Sequence, residues 1–263
     1  MRQTIAAIST LFGMVVGPAV WPLKALAEVS NDSLLGPGLR SRPAYDGSAS
    51  QRVELVPVIR YFGQLGFVRS TQGLLEAGVR TELAPGLHAG AQLAYEPGRQ
   101  NTESDFLKGR QVPSVQRGAS LGLQLEWDHK FGPMPITALI RLRKHSDAHL
   151  GAQADLRLSA GVFQGGPLGV GVFTQAIWAD AKSTGAIYGI EPGQAATTGL
   201  RAFAPGGGWL NASVGLLWSV DLGPQWVVVG SLEARRLKGD AANSPLAERS
   251  SSRYLSAGLA YHF

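Results

Sequence analysis

The chain has 263 residues, of which 44% are hydrophobic and 16% are charged, and its formal net charge is +5. It contains no cysteine, which excludes a disulfide-stabilised scaffold, a cysteine-ligated zinc site and a cysteine nucleophile. Its apolar content argues against a disordered chain. Glycine accounts for 34 residues, nearly twice the usual share of about 7%, and this excess favours an all-β protein.

The first 27 residues have the pattern of a secretory signal peptide. Arg2 precedes a mostly apolar run from Ile5 to Val20, and Ala25-Leu26-Ala27 supplies a small-x-small cleavage site. The run is shorter than the ~20 residues that a membrane-spanning helix needs. Cleavage lowers Lys+Arg from 24 to 22 against 19 acidic residues, so the mature chain carries only +3. Export and this small charge argue against a nucleic-acid partner.

From residue 28 onward, apolar and polar residues alternate through most of the chain. The alternation is clear in Leu87–Glu96, Ala119–Phe131, Ile136–Arg143, His149–Val162, Leu210–Leu222, Val228–Arg235 and Tyr254–Phe263, and weaker in 52–62, 66–83 and 168–181. Because successive side chains of a strand point to opposite faces, each segment is predicted to be a strand with one apolar and one polar face.

Two architectures produce such strands: a soluble sandwich and a transmembrane barrel. The segments run about 10–14 residues, which exceeds the ~5–6 of soluble strands and suits a membrane crossing of ~9–11. Their apolar faces are rich in Ala and Gly. Aromatic residues lie near the ends of these faces, as in an interfacial girdle: Tyr95, Trp127, Trp178, Trp218, Tyr261 and Phe263. We therefore predict an all-β, transmembrane antiparallel up-and-down β-barrel over residues 28–263.

The connections between the predicted strands alternate in length. Tight turns are predicted at Pro85-Gly86, Gly132-Pro133, Gly165-Gly166-Pro167 and Gly223-Pro224; longer or polar links lie near 97–114, 144–148, 182–208 and 238–252. Outer-membrane barrels combine short periplasmic turns with longer surface loops, so both termini are expected on the periplasmic side and the strand number is even. Twelve strands result if Leu34–Tyr45 is a strand and the chain turns near Thr71–Gly73. The alternative of ten strands requires 66–83 to be one strand and 28–48 none; we favour twelve.

The predicted lumen carries charges of both signs. The predicted lumen-facing charges include Arg141, Arg143, Asp155, Arg157, Glu233 and Arg235. Since Arg141 and Arg143 lie on the strand next to Asp155 and Arg157, cross-strand ion pairs are expected. A barrel of ten or twelve strands is narrow compared with porins of 16–18. The charges therefore either fill the lumen or line a small-solute channel.

Other residue groups do not make convincing sites. His145 and His149 lie four apart around Asp147, but in a predicted loop where they need not converge on a metal. Glu126 and Asp128 are separated by strand geometry from His129, which falls on the opposite face. No Gly-x-Ser-x-Gly turn supports a nucleophile. We therefore expect a protein that is not an enzyme, with no catalytic residue, metal or cofactor.

The C-terminus resembles the signal by which the barrel-assembly machinery recognises outer-membrane proteins. The pattern consists of Ser256, Gly258, Tyr261 and the terminal Phe263. A terminal Phe in this register, in a chain that begins with a signal peptide, favours insertion into the outer membrane of a Gram-negative bacterium. The assembly machinery and outer-membrane lipid are thus expected partners.

Two segments resemble the MipA/OmpV family of outer-membrane proteins. The first is an R-P-x-Y-x-G-S stretch formed by Arg42, Pro43, Tyr45, Gly47 and Ser48, and a strand containing Pro57 follows it. The second runs from Ser219 through Trp226 to Leu246 and includes a G-D-A-x-x-S-P stretch at 239–245. The resemblance covers nearly the whole mature chain.

This resemblance implies an outer-membrane barrel whose relatives include a scaffold that links a lytic transglycosylase to a bifunctional murein synthase. Other relatives are described as porin-like proteins or adhesins. The family has no agreed catalytic residues, so none is assigned here. The expected function is a structural or scaffolding role in assembling murein-remodelling enzymes, with a small-solute channel or a surface adhesin as alternatives.

Overall fold

Residues 33–263, which the computed structural model describes, form a closed barrel of twelve antiparallel strands. The strands are β1 Leu34–Pro43, β2 Gln51–Phe62, β3 Gly66–Thr71, β4 Leu74–Ala84, β5 Leu87–Glu96, β6 Gly118–Phe131, β7 Met134–His145, β8 Ala152–Gly165, β9 Leu168–Ala179, β10 Gly208–Asp221, β11 Trp226–Leu237 and β12 Ser251–His262. Each strand pairs with its neighbours in sequence, and β1 closes the ring against β12, with Leu35 opposite Tyr261 and Ser41 opposite Leu255. The predicted signal peptide lies outside the described residues.

The prediction of twelve strands is confirmed. Two features decide it against ten: Leu34–Pro43 is a strand, and the chain reverses between β3 and β4. The reversal is a two-residue turn at Gln72 and Gly73, whose φ angles of 51° and 83° are those of a hairpin turn that favours glycine. The short β3, with six residues, disguises this hairpin as a single strand in the sequence.

The barrel is apolar outside and polar inside, the reverse of a soluble protein. On β6 the outward Leu121 and Leu123 are 66% and 63% exposed, whereas the inward Ser120, Gln124 and Glu126 are buried. This inversion is typical of a barrel whose outer face contacts lipid. The alternation of the sequence thus predicted the strands, and the strand length and the placement of aromatic residues predicted that the apolar faces point outward.

The two ends of the barrel differ. We call the end with the turns at 85–86, 132–133 and 166–167 the turn end, and the opposite one the loop end. The loop end carries four short helices: α1 Asp105–Gly109, α2 Ala181–Tyr188, α3 Pro192–Thr198 and α4 Gly239–Asn243. None of the helices within residues 33–263 is long and apolar enough to span a bilayer.

The predicted start of strand β8 is wrong. Strand β8 was expected from His149 but begins at Ala152, because Ala148–Leu150 forms a 3₁₀ turn and Gly151 adopts a φ of 64°. The alternation of residue types continues through the turn, so periodicity alone does not mark where the strand begins.

Candidate functional site

Five buried charges form a continuous network on one side of the lumen, which we call the lumen network: Arg69, Glu76, Glu126, Arg141 and Asp155. Arg69 contacts Glu76 at 2.9 Å and Glu126 at 2.5 Å. Arg141 contacts Glu76 at 2.7 Å and Asp155 at 2.7 Å. Each acid is therefore paired with at least one guanidinium, as buried carboxylates require.

The other predicted lumen charges on this side lie around the network. Arg143 contacts Glu96 at 2.7 Å and Asp155 at 3.6 Å. Arg157 donates a hydrogen bond to Gln175 at 3.1 Å, and its guanidinium lies 3.9 Å from the centre of the Phe173 ring. The structure thus brings Arg141, Arg143 and Asp155 together as the strand order predicts, and it places Arg157 beside an amide and an aromatic ring.

Glu233 and Arg235 belong to a second cluster, on the far side of the lumen. Arg235 contacts Glu233 at 2.9 Å and Asp46 at 2.8 Å, and Tyr254 donates its hydroxyl hydrogen bond to Asp46. We call these four residues the latch, because Asp46 lies in the loop between β1 and β2 whereas the other three lie on strands. Burial raises the pKa of the Asp46 carboxyl, but Arg235 and the Tyr254 hydroxyl outweigh it and the net pKa is lowered.

Above the latch, the loops pack into an apolar cluster that covers the loop end. We call this cluster the loop cap; it consists of Ala44, Tyr45, Leu107, Val112, Ile190 and Leu246. These residues come from four loops: β1–β2, β5–β6, β9–β10 and β11–β12. The β5–β6 and β11–β12 loops arise on opposite sides of a ring of twelve strands. A cluster that joins them must lie across the barrel axis.

Hydrogen bonds tie the loop cap together. Tyr45 donates its hydroxyl to the carbonyl of Leu246 at 3.0 Å and to Glu248 at 3.2 Å. Ser244 donates to the carbonyl of Tyr188 at 2.6 Å. Burial raises the pKa of the Tyr188 phenol well above its ordinary value, so this ring is neutral and suited to a buried position.

Below the latch, a cavity of about 820 Å³ lies inside the barrel. One side is lined by Arg69, Glu126 and other polar groups, and the opposite side by apolar residues such as Val58 and Val229. Its lining extends from Pro85 at the turn end to Tyr254 in the latch and includes none of the loop-cap residues. The cavity therefore ends beneath the cap.

Comparison with protein families gives a match over almost all of the described chain. The model of the family described as MltA-interacting protein MipA matches residues 35–263. The chain belongs to the MipA family. Comparison with curated proteins finds no match.

Comparison of this MipA-family chain with solved structures finds outer-membrane barrels with little sequence identity and TM-scores below 0.5. An outer membrane channel from Pseudomonas putida is 10% identical, with a TM-score of 0.49, 89% of this chain covered and 96% of that one. The NanC porin is 9% identical, with a TM-score of 0.47, 88% of this chain covered and 100% of that one. An anion-selective porin from Comamonas acidovorans is 12% identical, with a TM-score of 0.38 and 86% of this chain covered; the chain spans only 58% of that porin.

The residues of the predicted assembly signal lie on the last strand of the MipA-family barrel and at its end. Ser256 faces the lumen and hydrogen-bonds Ser231 at 2.8 Å. A side chain at Gly258 would meet a methyl group of Val58 at 2.5 Å, so the close packing there requires glycine. Tyr261 packs edge-on against Trp226, and Phe263 stacks on Tyr61 with 6.5 Å between ring centres.

The histidines and acids that the sequence did not favour as metal or catalytic sites make other contacts in the structure. His145 accepts a hydrogen bond from the backbone of Asp147 at 2.9 Å, and His149 lies in the adjacent 3₁₀ turn. Thr137 donates to Asp128, and the His129 ring stacks on Trp127 at 5.1 Å. Among residues 33–263, no group of His, Asp and Glu is arranged to hold a metal ion.

Neither the loop cap nor the role of Asp46 is predicted from the sequence. Both segments that carry the family resemblance contribute to the loop cap: Tyr45 from the first and Leu246 from the second, joined by the hydrogen bond from the Tyr45 hydroxyl to the Leu246 carbonyl. The sequence thus contains both contacting segments as motifs, but they lie about 200 residues apart in the chain. Nothing in the local pattern of either motif indicates that the other is its contact.

Proposed function

We propose that this barrel is a non-conducting outer-membrane scaffold that holds murein-remodelling enzymes at its turn end, facing the periplasm. The observation that supports a non-conducting barrel is the loop cap, in which residues from opposite sides of the ring are buried together. A solute moving along the axis would have to separate Leu107 and Leu246, which are both 0% exposed. The family description, MltA-interacting protein, supports the choice of a murein enzyme as partner.

The turn end offers a small docking surface. Exposed side chains there include Gln64, Leu65, Leu222 and Gln225. Such short turns make few contacts by themselves, so the scaffold is expected to bind a lytic transglycosylase together with a murein synthase through a small and transient interface.

Site-specific crosslinking in cells tests the scaffold. A photo-crosslinking residue at Gln64 or Gln225 is expected to capture a lytic transglycosylase. The same residue at the exposed Lys108, in the loop cap region of the opposite end, serves as the matched control and should capture none. Absence of the transglycosylase from both turn-end adducts contradicts the proposal.

The cavity supports a second candidate, a gated small-solute channel. Its volume of about 820 Å³ lies in the range of small-molecule sites, and charged groups line one side. Single-channel recording of the refolded protein separates the two functions, with heat-modifiable gel migration as the control for folding. The scaffold predicts a silent barrel; a steady conductance that changes on replacing Arg157 favours the channel.

A further inference from the structure

The outer face of the barrel carries charge at only one end. Among the strands within residues 33–263, three outward positions hold Lys, Arg, Asp or Glu: Lys144, Arg236 and Arg253. All three are cations, and each is one of the three residues of its strand nearest the loop end: Lys144 and Arg236 where their strands end, and Arg253 where its strand begins. A charge on the lipid-facing surface is costly near the bilayer centre and cheap near the interface. Their placement therefore makes the outer surface positively charged at the membrane interface of the loop end, where it can attract anions.

Arg236 and Arg253 are neighbours on adjacent strands. Arg236 pairs with Ser251 across the β11–β12 ladder, and Arg253 follows two residues later, so the two arginines are diagonal neighbours. Such positions lie roughly 7–8 Å apart, within reach of one another for long side chains. The next outward step toward the turn end is wholly apolar, with Leu232 opposite Leu255 and Leu216.

Two loop cations extend this pair. The ladder continues for one step beyond the strands, where Leu237 donates to the carbonyl of Ser250 at 2.7 Å, and Lys238 and Arg249 come next on the two sides. Both are exposed. We call Arg236, Lys238, Arg249 and Arg253 the rim patch.

The nearby carboxylates are engaged elsewhere. Glu248 accepts from Tyr45, Ser48 and the backbone of Ala49. Asp240 accepts from the backbone of Gly206 at 2.7 Å. Within the described chain, no carboxylate forms an ion pair with Arg236 or Arg253. The rim patch is therefore a concentration of four exposed cations directly above an apolar surface.

We infer that the rim patch binds the phosphorylated sugar headgroup of an outer-leaflet glycolipid, whose acyl chains lie on the Leu216, Leu232 and Leu255 surface. Guanidinium groups bind phosphate oxygens through two parallel hydrogen bonds, which suits Arg236 and Arg253 to this role. The inference rests on the proposed orientation, in which the loop end faces outward. It concerns the opposite end of the barrel from the proposed enzyme-docking surface, so each can fail without the other.

Lipid binding by the refolded full chain in detergent tests the site, with diphosphoryl lipid A as the probe and native mass spectrometry as the readout. The double variant Arg236→Glu/Arg253→Glu is expected to weaken binding at least about tenfold, since each cation near a lipid surface contributes substantially to binding anionic lipid. Lys144→Glu is the matched control, because it reverses an outward cation that lies one residue from the loop end of β7, as Arg236 does on β11; it should change binding less than about threefold.

Two further arms identify the ligand. Lipid A without phosphates should bind the wild-type protein as weakly as diphosphoryl lipid A binds the double variant, and inorganic phosphate at equal concentration should not displace the lipid. Equal lipid binding by the wild type and the double variant overturns the inference. So does a loss of binding in Lys144→Glu as large as that in the double variant, or full displacement of the lipid by inorganic phosphate. If the double variant does not fold, as judged by heat-modifiable gel migration, Arg236→Gln/Arg253→Gln replaces it. This variant is also expected to bind diphosphoryl lipid A more weakly than the wild type.

Discussion

The two buried charge clusters of the barrel are built over different distances in sequence. In the lumen network, Arg141 and Asp155 are 14 residues apart and face each other on adjacent strands. In the latch, Asp46 binds Arg235 and Tyr254, which lie 189 and 208 residues away. The network joins strands to one another, both side by side and across the lumen, whereas the latch joins a loop to two strands.

Because of this difference, we expect the lumen network to determine the stability of the barrel and the latch to determine whether its loop end stays closed. The acids of the network are almost inaccessible, with Glu76 and Asp155 side chains 0% exposed, so their pairing is a condition for folding. The Asp46 side chain is 29% exposed and holds only the loop that carries Tyr45. We expect damage to the network to unfold the barrel, and damage to the latch to loosen the loop cap while the strands persist.

The largest effect is expected from Arg141→Met. The substitution leaves Glu76 and Asp155 buried beside an apolar side chain, and removing one partner of a buried ion pair costs about 3–5 kcal/mol. Urea unfolding of the barrel refolded in lipid vesicles measures the loss. Because the variant leaves Glu76 paired with Arg69 and Asp155 with the more distant Arg143, adding Glu76→Gln and Asp155→Asn should recover part of the stability. An unfolding midpoint equal to that of the wild type would show that the lumen network does not stabilise the barrel.

The sequence predicts those contacts of the lumen network that join neighbouring strands. Alternation and strand order place Arg141 beside Asp155, and the structure joins them at 2.7 Å. The contacts of Arg69 with Glu126 and of Arg141 with Glu76 connect strands that are not adjacent. They depend on barrel closure and on how far long side chains reach across the lumen, and no residue pattern reports either.

The loop end is less predictable for a related reason. The sequence identifies 97–114, 182–208 and 238–252 as long links, but it offers no period from which their folding follows. Their helices are five to eight residues long and gain their stability from packing in the loop cap and against the strand ends. Such packing brings together loops that are far apart in the chain, so it becomes visible only in three dimensions.

Asp46→Asn tests the latch side of the comparison. The amide keeps the shape but loses the charge that Arg235 contacts, and a hydrogen bond to a charged group contributes about 1.5–3 kcal/mol. Amide hydrogen exchange in residues 101–112 and 190–203 should accelerate, while exchange in β6–β9 stays unchanged. Asp105→Asn, an exposed acid in α1 outside the latch, is the control. Unchanged exchange in the loops would mean that the latch does not hold the cap.

Acidification should reproduce this loosening without a substitution. The pKa of Asp46 is lowered in the folded protein, although burial alone would raise it, because Arg235 and Tyr254 favour the carboxylate. A lowered folded pKa stabilises the closed cap above the unfolded pKa of about 4, and the contribution is lost as the pH falls below that value. Loop exchange, corrected for the intrinsic effect of pH, should rise below about pH 4 in the wild type. Since Asp46→Asn has no carboxyl to titrate there, a rise of equal size in that variant would assign the acid effect to another group.

Tyr45→Phe should have the smallest effect and locates the cap more finely. The ring stays packed against Leu107 and Leu246, but the hydrogen bonds to the Leu246 carbonyl and to Glu248 are lost. The bond to the Leu246 carbonyl contributes about 0.5–1.5 kcal/mol, and Glu248 keeps its bonds from Ser48 and the backbone of Ala49, so exchange should accelerate modestly and only near 244–248. Tyr261→Phe, at the turn end, removes a hydroxyl far from the cap and should leave the loops unchanged. If Tyr45→Phe loosened the cap as much as Asp46→Asn, the contact between Tyr45 and Leu246, and not the charge on Asp46, would hold the loop end closed.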